Sequence, residues 1–389
     1  MSGPALSRLL RAGPLEAGAV GALSAGVLVA GAFLDPSQTF AGLLTAALFG
    51  LMLALGAAVF AAIQGVSGAR WWTPLRMVTA AAAGTLAVPA ILLGATLLLG
   101  MPALYSWARP EAAASHLLAA KAVWLNRPLF LARALVILLA WLGLVGLLRN
   151  RLRALESGAP GAASRFARAS VGFLVVLAPT ISVAFWDWAM SLEPEWFSTM
   201  FAVYGFAGTF LGGIAFVTAV ALFLDARGHL PQPLSPATRH DLGKLLFGFA
   251  LFWAYIWFCQ YLLIWYSNLP EETPYYALRF QGGWTALFWL NPLLSFLVPF
   301  VILLGSGAKK APAALGHAAL VVVLGRWLDA YVMVAPAAGP LPSFPIYAVA
   351  ASLLVLAGMF LAFDRLYFRA RPLAGQHALF ASEAADPGR

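Results

Sequence analysis

The chain has 389 residues, of which 62% are hydrophobic and only 10% charged, against about 25% charged in an average soluble domain, and that balance excludes a water-soluble fold. The net charge of +9 comes from Lys and Arg spread over short segments between apolar runs, not gathered in one stretch or on one soluble face, which excludes nucleic acid as the partner. A single cysteine, Cys259, excludes an intrachain disulfide and an iron–sulfur cluster held by this chain, since such a cluster takes about four thiolates or close substitutes.

Crossing a hydrocarbon core takes about 20 apolar residues of helix. Runs of that kind predict ten spans, at 15–34, 40–63, 75–100, 128–148, 169–187, 198–225, 241–267, 281–305, 312–334 and 344–367. The expected fold class is an all-α integral membrane protein, with one ten-helix domain over 1–367 and a polar cytoplasmic tail over 368–389. Span one follows Arg8 and Arg11 and contains Ala30-Gly31-Ala32, as a secretory signal would. Its apolar segment is long for a signal core, so it reads as a retained span.

In chain order, span four carries Arg133 about one turn from its start. The loop after it, 149–168, holds five arginines and no lysine. Of the 24 Lys and Arg, 18 fall on or beside the N-terminus, the even loops and the tail, five on the odd loops, and Arg326 inside a helix. The positive-inside rule then puts both termini in the cytoplasm. Glu193, Glu195, Glu271 and Glu272 make the opposite face locally acidic.

Span five ends with Asp187 between Trp186 and Trp188, where an interfacial carboxylate in water and a proton-exchanging group are both open readings. Glycines from Gly205 to Gly213 lie in span six and read as close-packing positions. Span seven offers Tyr255, Gln260, Tyr261, Trp265 and Tyr266 beside Trp253 and Trp257, either a packed aromatic belt or the lining of a slot for a planar quinone. Span nine carries His317, Arg326 and Asp329. The last two are three residues apart on one helix face and are placed to pair. Each such group at helix depth costs about 2.5–3.5 kcal/mol to insert, which makes it a functional candidate by default. Of five histidines only His317 lies in a span, so a bis-histidine haem is excluded. No Walker loop, dinucleotide fingerprint or zinc spacing occurs.

Two fragments recur four spans apart. Trp124-Leu125-Asn126 leads into span four and Trp289-Leu290-Asn291 lies in span eight, while Trp186-Asp187 ends span five and Trp327-Leu328-Asp329 lies in span nine. Since four is even, the copies run in the same direction. Spans 2–5 and 6–9 are therefore expected to be parallel four-helix repeats, with spans 1 and 10 peripheral and with Asp187 and Asp329 at equivalent depths.

Four segments carry a family resemblance: Asp187-Trp188-Ala189-Met190-Ser191-Leu192-Glu193-Pro194-Glu195-Trp196-Phe197-Ser198-Thr199-Met200; Trp124-Leu125-Asn126 with Pro128, Phe130 and Arg133; Gln260-Tyr261-Leu262-Leu263-Ile264-Trp265-Tyr266-Ser267-Asn268-Leu269-Pro270-Glu271-Glu272; and Arg326-Trp327-Leu328-Asp329-Ala330-Tyr331. In order and over most of the chain, they resemble the NrfD-like (polysulfide-reductase-type) membrane subunits of alternative complex III, the ActF type in particular. Glu195 stands where many relatives are expected to have histidine, and no role is carried onto it.

The resemblance implies a multi-pass subunit of a bacterial inner-membrane quinol oxidoreductase. It implies partners: a sister NrfD-like subunit that usually holds the quinol site, an iron–sulfur subunit, c-type cytochrome subunits and, beyond them, a soluble carrier or terminal oxidase. Haem c and iron–sulfur clusters belong to those partners, and this chain is expected to hold no redox cofactor. Three roles stay open for its residues. Asp187, His317, Arg326 and Asp329 form part of a proton route; or Arg133 or Asp187, with Tyr255, Gln260, Tyr261 and Trp265, binds quinol; or the charges only pack an anchor subunit. A secondary transporter is the reading from another class, and it lacks the matched Gly/Pro-broken helices at the midplane that such proteins use.

Overall fold

The computed structural model describes residues 13–111 and 115–369. Among them there is no strand, and ten helices are long and apolar enough to cross a membrane, so the chain is an all-α integral membrane protein. They are α1 Pro14–Leu34, α2 Pro36–Ser67, α3 Thr73–Leu104, α4 Arg127–Glu156, α5 Ala162–Leu192, α6 Met200–Asp225, α7 Pro236–Ser267, α8 Trp284–Ile302, α9 Pro312–Ala338 and α10 Ile346–Phe368. Beyond its first two residues, the tail expected over 368–389 lies outside the described residues.

A helix in a bilayer must satisfy its backbone within itself, and the sequence supplies matching starts and stops. Proline occupies the first turn of α1, α2, α4, α7 and α9, where its missing N–H costs nothing. Asp35, Asn126 and Ser235 accept from the backbone N–H groups of Gln38, Leu129 and Thr238 at 3.1, 3.0 and 3.1 Å, capping α2, α4 and α7. Asn268 ends α7 in the left-handed region at φ 47°, a conformation asparagine tolerates better than most residues. Two helices are interrupted: α3 by a tight turn at Thr85 and Leu86, and α8 by a π-helical turn over Leu293–Leu297, directly after Pro292.

Helices α2, α3, α4 and α5 each pack on the next, and α5 closes back on α2; α6 to α9 repeat this order, with α9 closing on α6. The two bundles join through α2 against α6, flanked by the related pairs α2 with α9 and α5 with α6. At the centre of that joint Gly56 and Gly213 meet backbone to backbone, and a Cβ on either would overlap the other helix. Only glycine admits such an approach, whose reward is van der Waals contact along two helices that have no hydrophobic drive to associate in lipid. Helices α1 and α10 pack on each other and on α2, Tyr347 of α10 lying over Gly31 of α1.

The expected division into two four-helix bundles with spans one and ten outside them is therefore the observed one. The expected equivalence of the two carboxylates is not. Asp187 adjoins Trp188, the last α-helical residue of its helix, whereas Asp329 lies more than one turn before Val334, the corresponding residue of α9. One turn is about 5 Å along the axis. The physical reason lies in α8, which begins seven residues before Asn291, whereas Asn126 is itself the cap of α4. The second copy of the motif is thus carried deeper into its bundle.

Candidate functional site

Asp187 is 1% exposed, which overturns the reading of a carboxylate standing in water. Arg133 reaches it from α4 through Nε and Nη2, at 2.8 and 3.2 Å to the two carboxylate oxygens. Such a bidentate fork is the strong form of this pairing. The Trp124 indole N–H donates to the same carboxylate at 2.9 Å, its carbonyl accepts from Arg133 Nη1 at 3.1 Å, and its ring lies 4.1 Å from the guanidinium carbon. Trp124 is itself 47% exposed. The end of α5 is fixed by Tyr105, whose hydroxyl donates to the Trp188 carbonyl at 2.9 Å, and by Trp107, which donates to Ser191 at 3.3 Å.

The second pair is enclosed on all sides. Arg326 Nη1 donates to Asp329 at 2.9 Å, and the two side chains are 0% and 1% exposed. All four helices of the bundle contribute. From α8, Asn291 donates to Asp329 at 2.6 Å and accepts from Ser295 at 3.0 Å, while Ser295 accepts from Arg326. From α6, the Tyr204 hydroxyl donates to Asp329. From α7, the Trp253 ring lies 4.1 Å from the Arg326 guanidinium carbon. Gly208 of α6 leaves the room this needs, for a Cβ there would stand 2.9 Å from Arg326 Nη1. Two donors are left over: Arg326 Nε and Trp253 Nε1 are buried without an acceptor.

The α8 residues in this network flank and occupy its irregular turn. Asn291 precedes Pro292, and Ser295 lies within the π-helical turn, a feature common where side chains must be re-aimed at a site.

Other predicted residues stand apart from both pairs. His317 is exposed on the outer face of α9 and joins neither. The aromatic residues of α7 divide by face. Trp253, Trp257 and Tyr261 form an inward ladder with ring centres 6.3 and 6.0 Å apart, Tyr261 packs further on Trp289 and Phe288, and Gln260 is buried on the same side. Tyr255 and Trp265 are exposed at 60% and 63% and face outward. Tyr255, Gln260, Tyr261 and Trp265 therefore do not line one slot.

A third buried cation lies at the end of the molecule that carries the odd-numbered loops. Arg279, 0% exposed, belongs to the short helix Pro274–Arg279. It donates to the Val332 and Met333 carbonyls at 3.0 Å each, closing the end of α9, and to Glu193 at 2.8 Å. Burial alone would lower its pKa, but Glu193 and Tyr275 outweigh that, so it is raised. Burial likewise pushes the adjacent Tyr275 phenol up, against the pull of Arg279. Nearby, Arg109, Lys121 and Arg127 also donate to backbone carbonyls. Arg279 is buried while Arg109 and Arg127 stay exposed, and this end also displays the exposed Glu111, Glu195 and Glu271.

Among the described residues, no three His, Cys, Asp or Glu side chains are grouped to hold a metal ion. No family model matches the chain, and no curated protein matches it.

Proposed function

We propose that this chain is a membrane subunit of a quinol-oxidising respiratory assembly of the alternative complex III kind, in a bacterial inner membrane with both termini in the cytoplasm. The subunit carries no redox centre of its own. It supports electron transfer by a sister NrfD-like subunit, an iron–sulfur subunit and c-type cytochrome subunits, and it contributes proton-exchanging groups.

One observation carries this reading: three of the four segments that bear the resemblance converge on two buried arginine–aspartate pairs. Trp124 and Arg133 meet Asp187, and Arg326 with Asp329 forms the second pair. A chain that only anchored its partners would have no need of charges costing about 2.5–3.5 kcal/mol each to insert. The orphan donors Arg326 Nε and Trp253 Nε1 give the second pair somewhere to hold a water or another proton carrier. His317 has no part in this version of the route, because it faces away from the pair.

The test begins with gentle purification of the tagged protein from its own membranes. Co-purification of c-type haem, an iron–sulfur subunit and a second NrfD-like protein is expected; a colourless lone polypeptide would overturn the assignment. In the intact assembly, Asp329→Asn should lower the protons moved per electron, and an unchanged ratio would remove the proton role.

A second reading rests on the half-exposed Trp124 above the Arg133–Asp187 fork, where a quinol hydroxyl would find a carboxylate to accept its proton. On that reading Asp187→Ala slows quinol turnover and alters inhibitor sensitivity. Wild-type values for both would dismiss it.

A further inference from the structure

At the end of the bundle carrying the even-numbered loops, the ordinary arrangement is an arginine with a carboxylate, as in Arg76 with Glu156 at 3.0 Å. Arg149 departs from it. It lies 22 residues after the start of α4, about 33 Å along the axis, and so at the far edge of a hydrocarbon core about 30 Å thick. Its Nε is buried without an acceptor. Its guanidinium is pressed against Gly84 of α3, where a Cβ would stand 2.6 Å from Cζ, and Leu366 of α10 closes the same spot. Arg153, one turn further along α4, is exposed. Neither arginine has a carboxylate partner among the described residues, since Glu156 is taken by Arg76.

Two cations four residues apart share a helix face with Cβ atoms about 6 Å apart, a spacing that a single phosphate bridges with charge-assisted hydrogen bonds to both. An open groove of about 430 Å³ begins at Leu366 and runs along Leu361, Ala362, Asp364 and Arg365 of α10. The geometry points to a binding site for the phosphate of an anionic phospholipid, held by Arg149 and Arg153 at the headgroup level, with the rest of the lipid lying along α10 beside α3. The depth of Arg149 favours a lipid over a free anion: a soluble phosphate would have to leave water to reach a guanidinium flanked by Leu366 and the α3 backbone. The inference is independent of any respiratory role.

The test uses the full-length protein, delipidated in a neutral detergent. Phosphatidylglycerol, phosphatidylcholine or inorganic phosphate is added, and both the melting temperature and the lipid retained in native mass spectra are read. Phosphatidylglycerol is expected to raise the melting temperature of the wild type more than phosphatidylcholine does, with inorganic phosphate giving no increment. Arg149→Gln should bind phosphatidylglycerol about fivefold more weakly and Arg149→Lys should recover most of the loss, as a mainly electrostatic contact of one cation would. Should Arg149→Gln fail to fold, retention on the wild type alone decides. Equal retention of the two lipids overturns the site, and an equal increment from inorganic phosphate overturns its assignment to lipid.

Discussion

The two bundles solve one problem in two ways. In the first, Asp187 is tied by Arg133 from the neighbouring helix and by Trp124 from the preceding connection, and Trp124 is half exposed. In the second, Asp329 is tied by Arg326 of its own helix and by Asn291 and Tyr204 from two others, and nothing in the network reaches the surface. The same tripeptide supplies a donor in each bundle, but through its tryptophan in one and its asparagine in the other. The repeated order of helices therefore brings a carboxylate to an arginine in each bundle without preserving either its depth or what holds it. Enclosure is what separates the two: the first pair lies beside a half-exposed tryptophan, while the second is surrounded by the helices of its own bundle.

The largest expected effect sharpens that contrast. Asp329→Ala leaves Arg326 charged and sealed, and removing one partner of a buried pair costs about 3–5 kcal/mol. Asp187→Ala should cost less, about 1–3 kcal/mol, because Arg133 keeps the Trp124 carbonyl and is 14% exposed. Thermal unfolding of both variants in one detergent measures the difference, and equal losses would break the distinction. Replacing both members of the second pair, Arg326→Leu with Asp329→Leu, should destabilise less than Asp329→Ala alone, since no unpaired charge remains.

A smaller effect is expected at Gly208. Gly208→Ala places a methyl 2.9 Å from Arg326 Nη1 and forces the guanidinium aside at about 1–3 kcal/mol. In the background of the leucine pair just described, that cost should largely vanish. A cost that persists would locate the strain in α6 packing and not in the pair.

The helices and their grouping were legible because length and apolarity decide a membrane span, and because two repeated fragments disclosed the duplication. The Arg326–Asp329 pair was legible from its spacing alone. Asp187 and Arg133 were each visible as candidates, yet nothing in the sequence joined residues on separate helices. Tyr204 and Ser295 were hidden, since a tyrosine or serine in an apolar helix looks like packing until a charged partner is seen beside it. Arg279 was hidden in a loop, where a short helix aims it at the carbonyls of α9. Two errors were avoidable. His317 is nine residues from Arg326, two and a half turns, which puts them on opposite faces of α9. Along α7, steps of four residues drift around the helix, so the ladder of Trp253, Trp257 and Tyr261 has turned outward by Trp265.

The smallest effect tests whether the first pair depends on its exposed lid. Trp124→Phe keeps a ring over Arg133 but removes the N–H that donates to Asp187. The lost hydrogen bond should cost about 1 kcal/mol and no more, because Arg133 still holds both carboxylate oxygens and water can reach the vacated position beside a half-exposed side chain. Asn291→Leu makes the matching change in the second bundle, deleting the donor to Asp329 and the acceptor for Ser295 together. Asn291, Ser295 and Asp329 are all buried, so the loss should exceed that of Trp124→Phe by a factor of two or more, in line with the larger penalty for leaving buried polar groups unpaired. If the two substitutions cost the same, enclosure is not what distinguishes the pairs, and the explanation would pass to the arginines, one reaching across helices and the other bound along its own.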